Sequence, residues 1–218
     1  MANLRAVIEL GFRIDELAPW PVDDGDYRWA TLDASTAPEV IGTLMAAAAG
    51  WCRPEDAEDE YIPSIAEALG WIATSDYLVI TAGVQASDGT TTIHPGCCCE
   101  LNDWRGWSDP DLRSEQWLGH SPQPWTEETA AGLAVHQDKE AKTGSTANAT
   151  NDEPPQAPVL ITTAELPTVL AALRADLIGF LGAAEQWATA VSGDPSLAAA
   201  VVANIDHHVS IRGPLAGL

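Results

Sequence analysis

The longest periodic run of apolar residues lies near the C-terminus and limits the folds open to this chain. Apolar side chains recur every three or four residues from 166 to 187, and this spacing predicts one long amphipathic helix. The stripe consists of Leu166, Val169, Leu170, Leu173, Leu177, Phe180, Leu181, Ala184 and Trp187. A second helix is predicted to start at Asp194-Pro195. Since two helices cannot bury such stripes alone, we expect them to pack on another layer of structure.

The first 136 residues are expected to supply that layer as a sheet. Branched and aromatic residues between turn signals predict strands, and Asp88-Gly89 is typical of a tight hairpin turn. The predicted strands are 4–12, 27–32, 76–85, 90–93, 132–136 and, as an edge strand, 159–161. Helices are predicted after the capping pattern Thr36–Glu39 and over 63–74. We therefore predict an α+β fold: a mainly antiparallel sheet, helices on one face and a long C-terminal amphipathic helix.

The composition changes sharply from Gln137 to Pro158, where polar residues and prolines replace the apolar pattern. This change predicts a flexible polar linker. We predict an acidic α+β core over 1–136, the linker over 137–158, and C-terminal helices over 159–218 that pack on the core. The sequence leaves open a monomer or a homodimer, with those helices docked in cis or across the dimer.

Charge is the strongest bulk signal. The chain has 32 acidic and 10 basic residues, a formal net charge of −22. Such a charge repels nucleic acid and anionic membranes and attracts a basic protein partner, at a rate that falls with salt. The alternative is that the charge only keeps the protein soluble.

The N-terminal stretch MANLRAVIELGF has no signal-peptide pattern, and interruptions keep the apolar runs below 18 residues. We therefore expect a cytoplasmic protein that spans no membrane, with its cysteines reduced.

The run HPGCCCE, residues 94–100, raises the question of a metal site. His94, Cys97 and Cys99 bring nitrogen and sulfur donors close together in sequence, a set that Zn²⁺ favours. On an extended strand, residues 97 and 99 would face the same side. The candidates for a fourth ligand are Cys52, His120 and His136.

A structural role is the favoured alternative for this run. Consecutive cysteines are poor tetrahedral chelators, and no second pair of cysteines or histidines at ligand spacing accompanies them. Cysteine also behaves as a small hydrophobic residue that tolerates burial. The sequence therefore predicts that the triplet mainly packs against Trp104 and Trp107, and no cofactor is expected.

Three segments are similar to a group of actinobacterial proteins of uncharacterised activity. They are GCCCELNDWRGW (96–107), WLGHSPQPW (117–125) and LRADLIGFL (173–181). The resemblance covers roughly residues 76–190 and departs in the polar linker, where the group has a shorter connection. It implies no activity. It does group Trp104, Arg105, Trp107, His120 and Trp125 as candidates for a pocket or a partner surface.

Three functions remain open. The first hypothesis is a non-enzymatic acidic binding protein, in its most concrete form an immunity protein that neutralises a basic toxin. The second is a metal- or thiol-sensing protein that uses Cys97–Cys99. The third is an enzyme of unknown class that uses Trp104, Arg105 and His120, which would require a pocket that gathers these three side chains. Whether the protein is an enzyme is left open, because no catalytic motif is present in the sequence.

Overall fold

The computed structural model of the chain describes residues 1–11, 18–55, 57, 61–111, 113, 116–120, 123–137 and 157–215. In this part the strands are β1 (Asn3–Leu10), β2 (Arg28–Thr31), β3 (Gly83–Ser87), β4 (Thr92–Ile93), β5 (Pro124–Thr129), β6 (Gly132–Gln137) and β7 (Val159–Thr162). The helices are α1 (Pro38–Trp51), α2 (Ile65–Thr74), α3 (Leu166–Ser192) and α4 (Pro195–Val209), with a 3₁₀ helix over Leu101–Ser108.

The strands form two antiparallel sheets. The larger sheet has the order β2-β1-β3-β4, and the smaller has the order β5-β6-β7. In the centre of the larger sheet, Val7 of β1 lies opposite Thr31 of β2 and Gly83 of β3. Alternate residues of β1, including Leu4 and Ala6, point into the core, as a half-buried strand requires. The prediction of an α+β fold with mainly antiparallel pairing is confirmed.

The C-terminal helices pack against the layer formed by the first part of the chain. All nine residues of the predicted apolar stripe are buried in α3, which contacts β1 and α4. Helix α4 also packs on α2, where the Asn204 side chain donates hydrogen bonds to the carbonyls of Ile72 and Ser75, 2.7 and 3.0 Å away. The predicted long C-terminal amphipathic helix is therefore confirmed.

Helix α3 is also long and apolar enough to cross a membrane. Its most apolar 18-residue window has a mean hydropathy of 1.5, and 39% of that window is buried. Length and composition are weak evidence, because the core helix of a water-soluble protein passes the same test.

The strand predicted over 76–85 is wrong in its bounds. Leu78, Val79 and Ile80 are buried but irregular, and the regular strand β3 begins only at Gly83. A short apolar run predicts burial but does not specify the backbone conformation. The strand was therefore predicted to begin too early in the sequence. Most of the predicted linker, residues 138–156, lies outside the described residues, and Gln137 ends β6.

The capping pattern predicted at Thr36 is also wrong. Helix α1 is capped by Ala37 without a side-chain bond, and the Thr36 hydroxyl donates instead to the Asp33 carbonyl, 2.8 Å away. A complete capping box occurs at α2, between Ser64 and Glu67. The sequence patterns at Thr36 and Ser64 are alike. In the loop before α1, however, the Thr36 hydroxyl bonds to Asp33 and not to the first turn of the helix.

Candidate metal centre

The candidate site is built where the loop of Cys97 meets the loop of His120. The backbone N–H of Cys97 donates to the His120 carbonyl at 2.9 Å, and that of His120 donates to the Cys97 carbonyl at 3.2 Å. A side chain on Gly96 would bring its Cβ within 2.4 Å of the His120 nitrogen, and one on Gly119 would lie 2.5 Å from the Cys97 carbonyl oxygen. These two glycines therefore let the loops approach closely enough to join the two side chains.

An unusual backbone conformation at Cys98 brings two thiols together. Neighbouring side chains on an extended strand point to opposite faces. Cys98 has a φ of +64°, in the left-handed region, and this breaks the alternation. Its Sγ lies 3.7 Å from the Sγ of Cys97, which in turn lies 2.9 Å from Nδ1 of His120. The three ligand atoms all lie within 4.8 Å of one another, and all three residues are exposed.

The distances between these three donor atoms suit a soft metal ion. Two sulfurs bound at about 2.3 Å to a tetrahedral ion lie about 3.8 Å apart, close to the separation of the two thiols. The Cys97 Sγ–His120 Nδ1 distance is that of a hydrogen bond, and the pair must open by about 0.6 Å to hold an ion at its usual bond lengths. Two thiols and an imidazole are the donors that Zn²⁺ prefers, and they leave a fourth position open.

Cys99 has a different environment from the other two cysteines. It is only 6% exposed, and it faces Gly83 at the start of β3. Burial, with a smaller effect from the nearby Asp103 carboxylate, raises the pKa of the Cys99 thiol to about 12. Cys99 therefore packs as a small hydrophobic residue, but Cys97 and Cys98 are exposed, so the prediction that the whole triplet mainly packs in the core is wrong for these two. For Cys97, partial desolvation and the hydrogen bond shared with Cys98 raise the thiol pKa.

The predicted ligands His94, Cys97 and Cys99 are not the group that the fold brings together. Within the described part of the chain, the group of three or more metal-ligand side chains with converging donor atoms is Cys97, Cys98 and His120. His94 instead stacks on Trp29, with ring centroids 4.9 Å apart, and burial lowers the pKa of its imidazole. His120 was only a candidate fourth ligand, and Cys98 was missed because a left-handed φ at a non-glycine residue leaves no signal in the sequence.

The candidate centre opens onto a mainly apolar cavity of about 580 Å³. Its lining includes Ile8 and Trp29 of the larger sheet and Trp51 at the end of α1. Glu9 contributes one carboxylate to this lining, and the segment from Pro95 to Cys99 contributes further residues. Cavities of this size and character commonly bind small molecules.

The other candidate residues do not gather in one pocket. Trp104 and Trp107 are each 1% exposed, and Trp104 Nε1 donates to the Val209 carbonyl at 2.9 Å. The Arg105 guanidinium donates to the Ser210 carbonyl at 2.7 Å and to the Pro214 carbonyl. Trp104 and Arg105 therefore attach the C-terminal segment to the core, and Trp107 is buried in the core.

No hydrogen bond or ring contact joins Arg105 to His120, both of which are described. Trp125 stacks on His136, with ring centroids 3.9 Å apart. The cavity of about 580 Å³ is lined by none of Trp104, Arg105 and His120, so it does not support the hypothesis of an enzyme that uses these three residues.

Comparison with known proteins adds no family to this description. No protein-family model, curated protein or solved structure matches the chain. The candidate centre has to be judged on its own geometry, and the resemblance to the actinobacterial group stays a prediction.

Proposed function

We propose that this protein is a metal- or thiol-sensing protein that binds a soft metal ion such as Zn²⁺ through Cys97, Cys98 and His120. The observation that carries the proposal is the convergence of three exposed donor atoms within 4.8 Å. The 3.7 Å separation of the two sulfurs supports it further, because it matches one edge of a tetrahedral coordination sphere.

Exposure favours sensing over a purely structural metal site. Structural zinc is usually enclosed by four protein ligands, whereas these donors leave one position open. An exposed ion exchanges with solution, and the exposed thiols are accessible to thiol reagents when the ion is absent, with the raised pKa of Cys97 slowing its reaction. Binding then couples the availability of metal to the state of the Cys97–Cys98 pair.

The experiment is a metal titration of protein purified without chelators, with metal content measured by plasma mass spectrometry and Co²⁺ binding followed by thiolate absorption. We expect about one ion per chain, and protection of Cys97 and Cys98 from alkylation until the ion is removed. Cys98→Ser and His120→Ala should each weaken binding at least tenfold, because each removes one of three ligands. Cys52→Ser is the matched control, because this half-buried cysteine lies outside the cluster. Equal metal affinity in all four proteins, or no binding at all, would overturn the proposal.

The charge of the chain supports a second candidate function, an acidic binding protein such as an immunity protein that neutralises a basic toxin. On β5, the exposed Trp125 stacks on the ring of His136, and the exposed carboxylate of Glu127 lies 3.3 Å from the other side chain of this pair, His136 Nε2. An aromatic anchor beside acidic groups is a combination that recognises basic protein surfaces.

This second candidate is tested with a basic, toxin-like protein encoded beside this chain. We expect an association rate that falls steeply with salt, and a complex at least tenfold weaker for Trp125→Ala. Ile178→Ala, an exposed apolar position on α3, should leave the complex unchanged. A rate independent of salt would contradict this candidate.

A further inference from the structure

The thiol pair and the apolar cavity share residues. Cys97 and Cys98 line the cavity together with the aromatic rings of Trp29 and Trp51. A ligand bonded to both sulfurs therefore carries any further substituent next to an apolar wall. The Trp51 ring is 63% exposed, so it can pack against a bound group without first leaving the core.

Two exposed thiols 3.7 Å apart suit a central atom that forms two bonds to sulfur. Trivalent organoarsenic compounds, R–As(OH)₂, have one arsenic–carbon bond and two exchangeable hydroxyl groups. In the reaction with two thiols, two As–S bonds form and two As–O bonds break. The thiol protons leave with the hydroxyl groups as two molecules of water, and the oxidation states do not change.

We propose that the thiol pair and the cavity form one composite site for an organoarsenic(III) compound with an apolar substituent. Cys97 and Cys98 bind the arsenic, and the substituent occupies the cavity between the two tryptophans. This inference rests on the proposed function, because it uses the same two sulfurs as soft ligands. The 580 Å³ cavity lies within the range of small-molecule sites, so it can accept an aromatic ring.

The lining also constrains the charge of the ligand. Glu9 is the carboxylate of the cavity, and its oxygen accepts a hydrogen bond from the Tyr27 hydroxyl at 2.7 Å. A carboxylate beside an apolar wall disfavours an anionic substituent, because like charges repel strongly where water is partly excluded. The site therefore favours neutral aryl or alkyl groups over acidic ones.

The test compares phenylarsine oxide, which carries an apolar ring, with arsenite, which carries none. Each is titrated in competition with dithiothreitol, so that the intrinsic affinity of each compound for two thiols cancels. Relative to dithiothreitol, we expect the protein to bind phenylarsine oxide at least tenfold more tightly than arsenite. Trp51→Ala should remove most of that preference and leave arsenite binding unchanged. Tyr77→Ala is the matched control, because this aromatic residue is similarly exposed, at 66%, and does not line the cavity.

A second variant covers the case in which Trp51→Ala does not fold. Ala47→Phe adds a ring to the cavity lining from α1 and should exclude the phenyl group while arsenite still binds. A preference that neither variant reduces would overturn the inference.

A parallel zinc titration separates this inference from the proposed function. Normal zinc binding without a preference for the phenyl compound refutes the composite site alone. A clear phenyl preference without zinc binding supports the composite site and refutes the metal-sensing proposal.

Discussion

The backbone of Cys98 determines which side chains of the cysteine run can act together. A non-glycine residue in the left-handed region costs about 1–2 kcal/mol, and the surrounding structure has to compensate for it. Part of that compensation is visible: Trp117 Nε1 donates to the Cys98 carbonyl at 3.3 Å. Strain of this kind is concentrated at functional sites, which is consistent with a role for the Cys97–Cys98 pair.

The role of Arg105 is also decided at the scale of a single side chain. Its guanidinium donates to carbonyls of the segment that follows α4, including that of Ser210. Arg105→Ala should lower the free energy of unfolding by about 1.5 kcal/mol, the low end for bonds from a charged donor, since the group is partly exposed. Urea unfolding measures the change, and hydrogen exchange should show faster opening of residues 210–215.

Arg28→Ala is the control for this substitution. Arg28 is 44% exposed and pairs with Asp23, whose side chain is 11% exposed, and we expect Arg28→Ala to lower the free energy of unfolding by less than Arg105→Ala does. If Arg105→Ala abolished metal binding without changing stability, Arg105 would belong to the site instead.

Among the elements, helix α2 depends on the hydrogen bonds of its first turn. The Ser64 hydroxyl accepts from the Glu67 N–H at 3.3 Å, and the Glu67 carboxylate accepts from the Ser64 N–H at 2.9 Å. Ser64→Ala should destabilise the protein by about 1 kcal/mol at neutral pH, the usual cost of losing a helix cap. Ser196→Ala, in the exposed first turn of α4, should be neutral or slightly stabilising, because alanine has the higher helix propensity.

The stability difference between wild type and Ser64→Ala should depend on pH, and its sign follows from the pKa of Glu67. The hydrogen bonds from Ser64, followed by that from Tyr61, lower the pKa of Glu67 in the folded protein. A lowered pKa means that the stabilisation is present above the unfolded pKa and is lost as the pH falls through the folded pKa. The stability difference between wild type and Ser64→Ala should therefore shrink on acidification. Thermal unfolding at pH 7 and pH 3 measures it, and a difference that grew at pH 3 would contradict this interpretation.

At the scale of the whole molecule, the net charge of −22 acts against the compact state through self-repulsion. Screening shortens from about 30 Å at 0.01 M salt to about 3 Å at 1 M. We expect the melting temperature to rise as NaCl increases from 0.01 to 0.5 M at pH 7. The same titration near pH 4.2, the isoelectric point of the sequence, is the control, because little net charge remains there to screen. An equal effect of salt at both pH values would contradict an electrostatic origin.

The fold was predictable where one periodicity extends over many residues. The stripe from Leu166 to Trp187 specifies both the helix α3 and its buried face, because a spacing of 3.6 residues has no other regular interpretation at that length. The run from Leu78 to Ile80 is too short for such a distinction, so its burial was predictable and its irregular backbone was not. Similarly, burial of Trp104 and Trp107 follows from their size and apolar character, but the hydrogen bond by which Trp104 holds the C-terminal segment does not.

By itself, the sequence determined the acidic charge, the α+β class, the long apolar helix and the concentration of thiols near His94. Only the tertiary structure decided which thiols face each other. The reason is that His120 is 23 residues from Cys97 and reaches it through a backbone bridge between two loops, not through local periodicity. The left-handed backbone of Cys98 then turns its sulfur toward Cys97, while Cys99 enters the core. The candidate centre therefore depends on how loops meet, and that is a property of the folded chain.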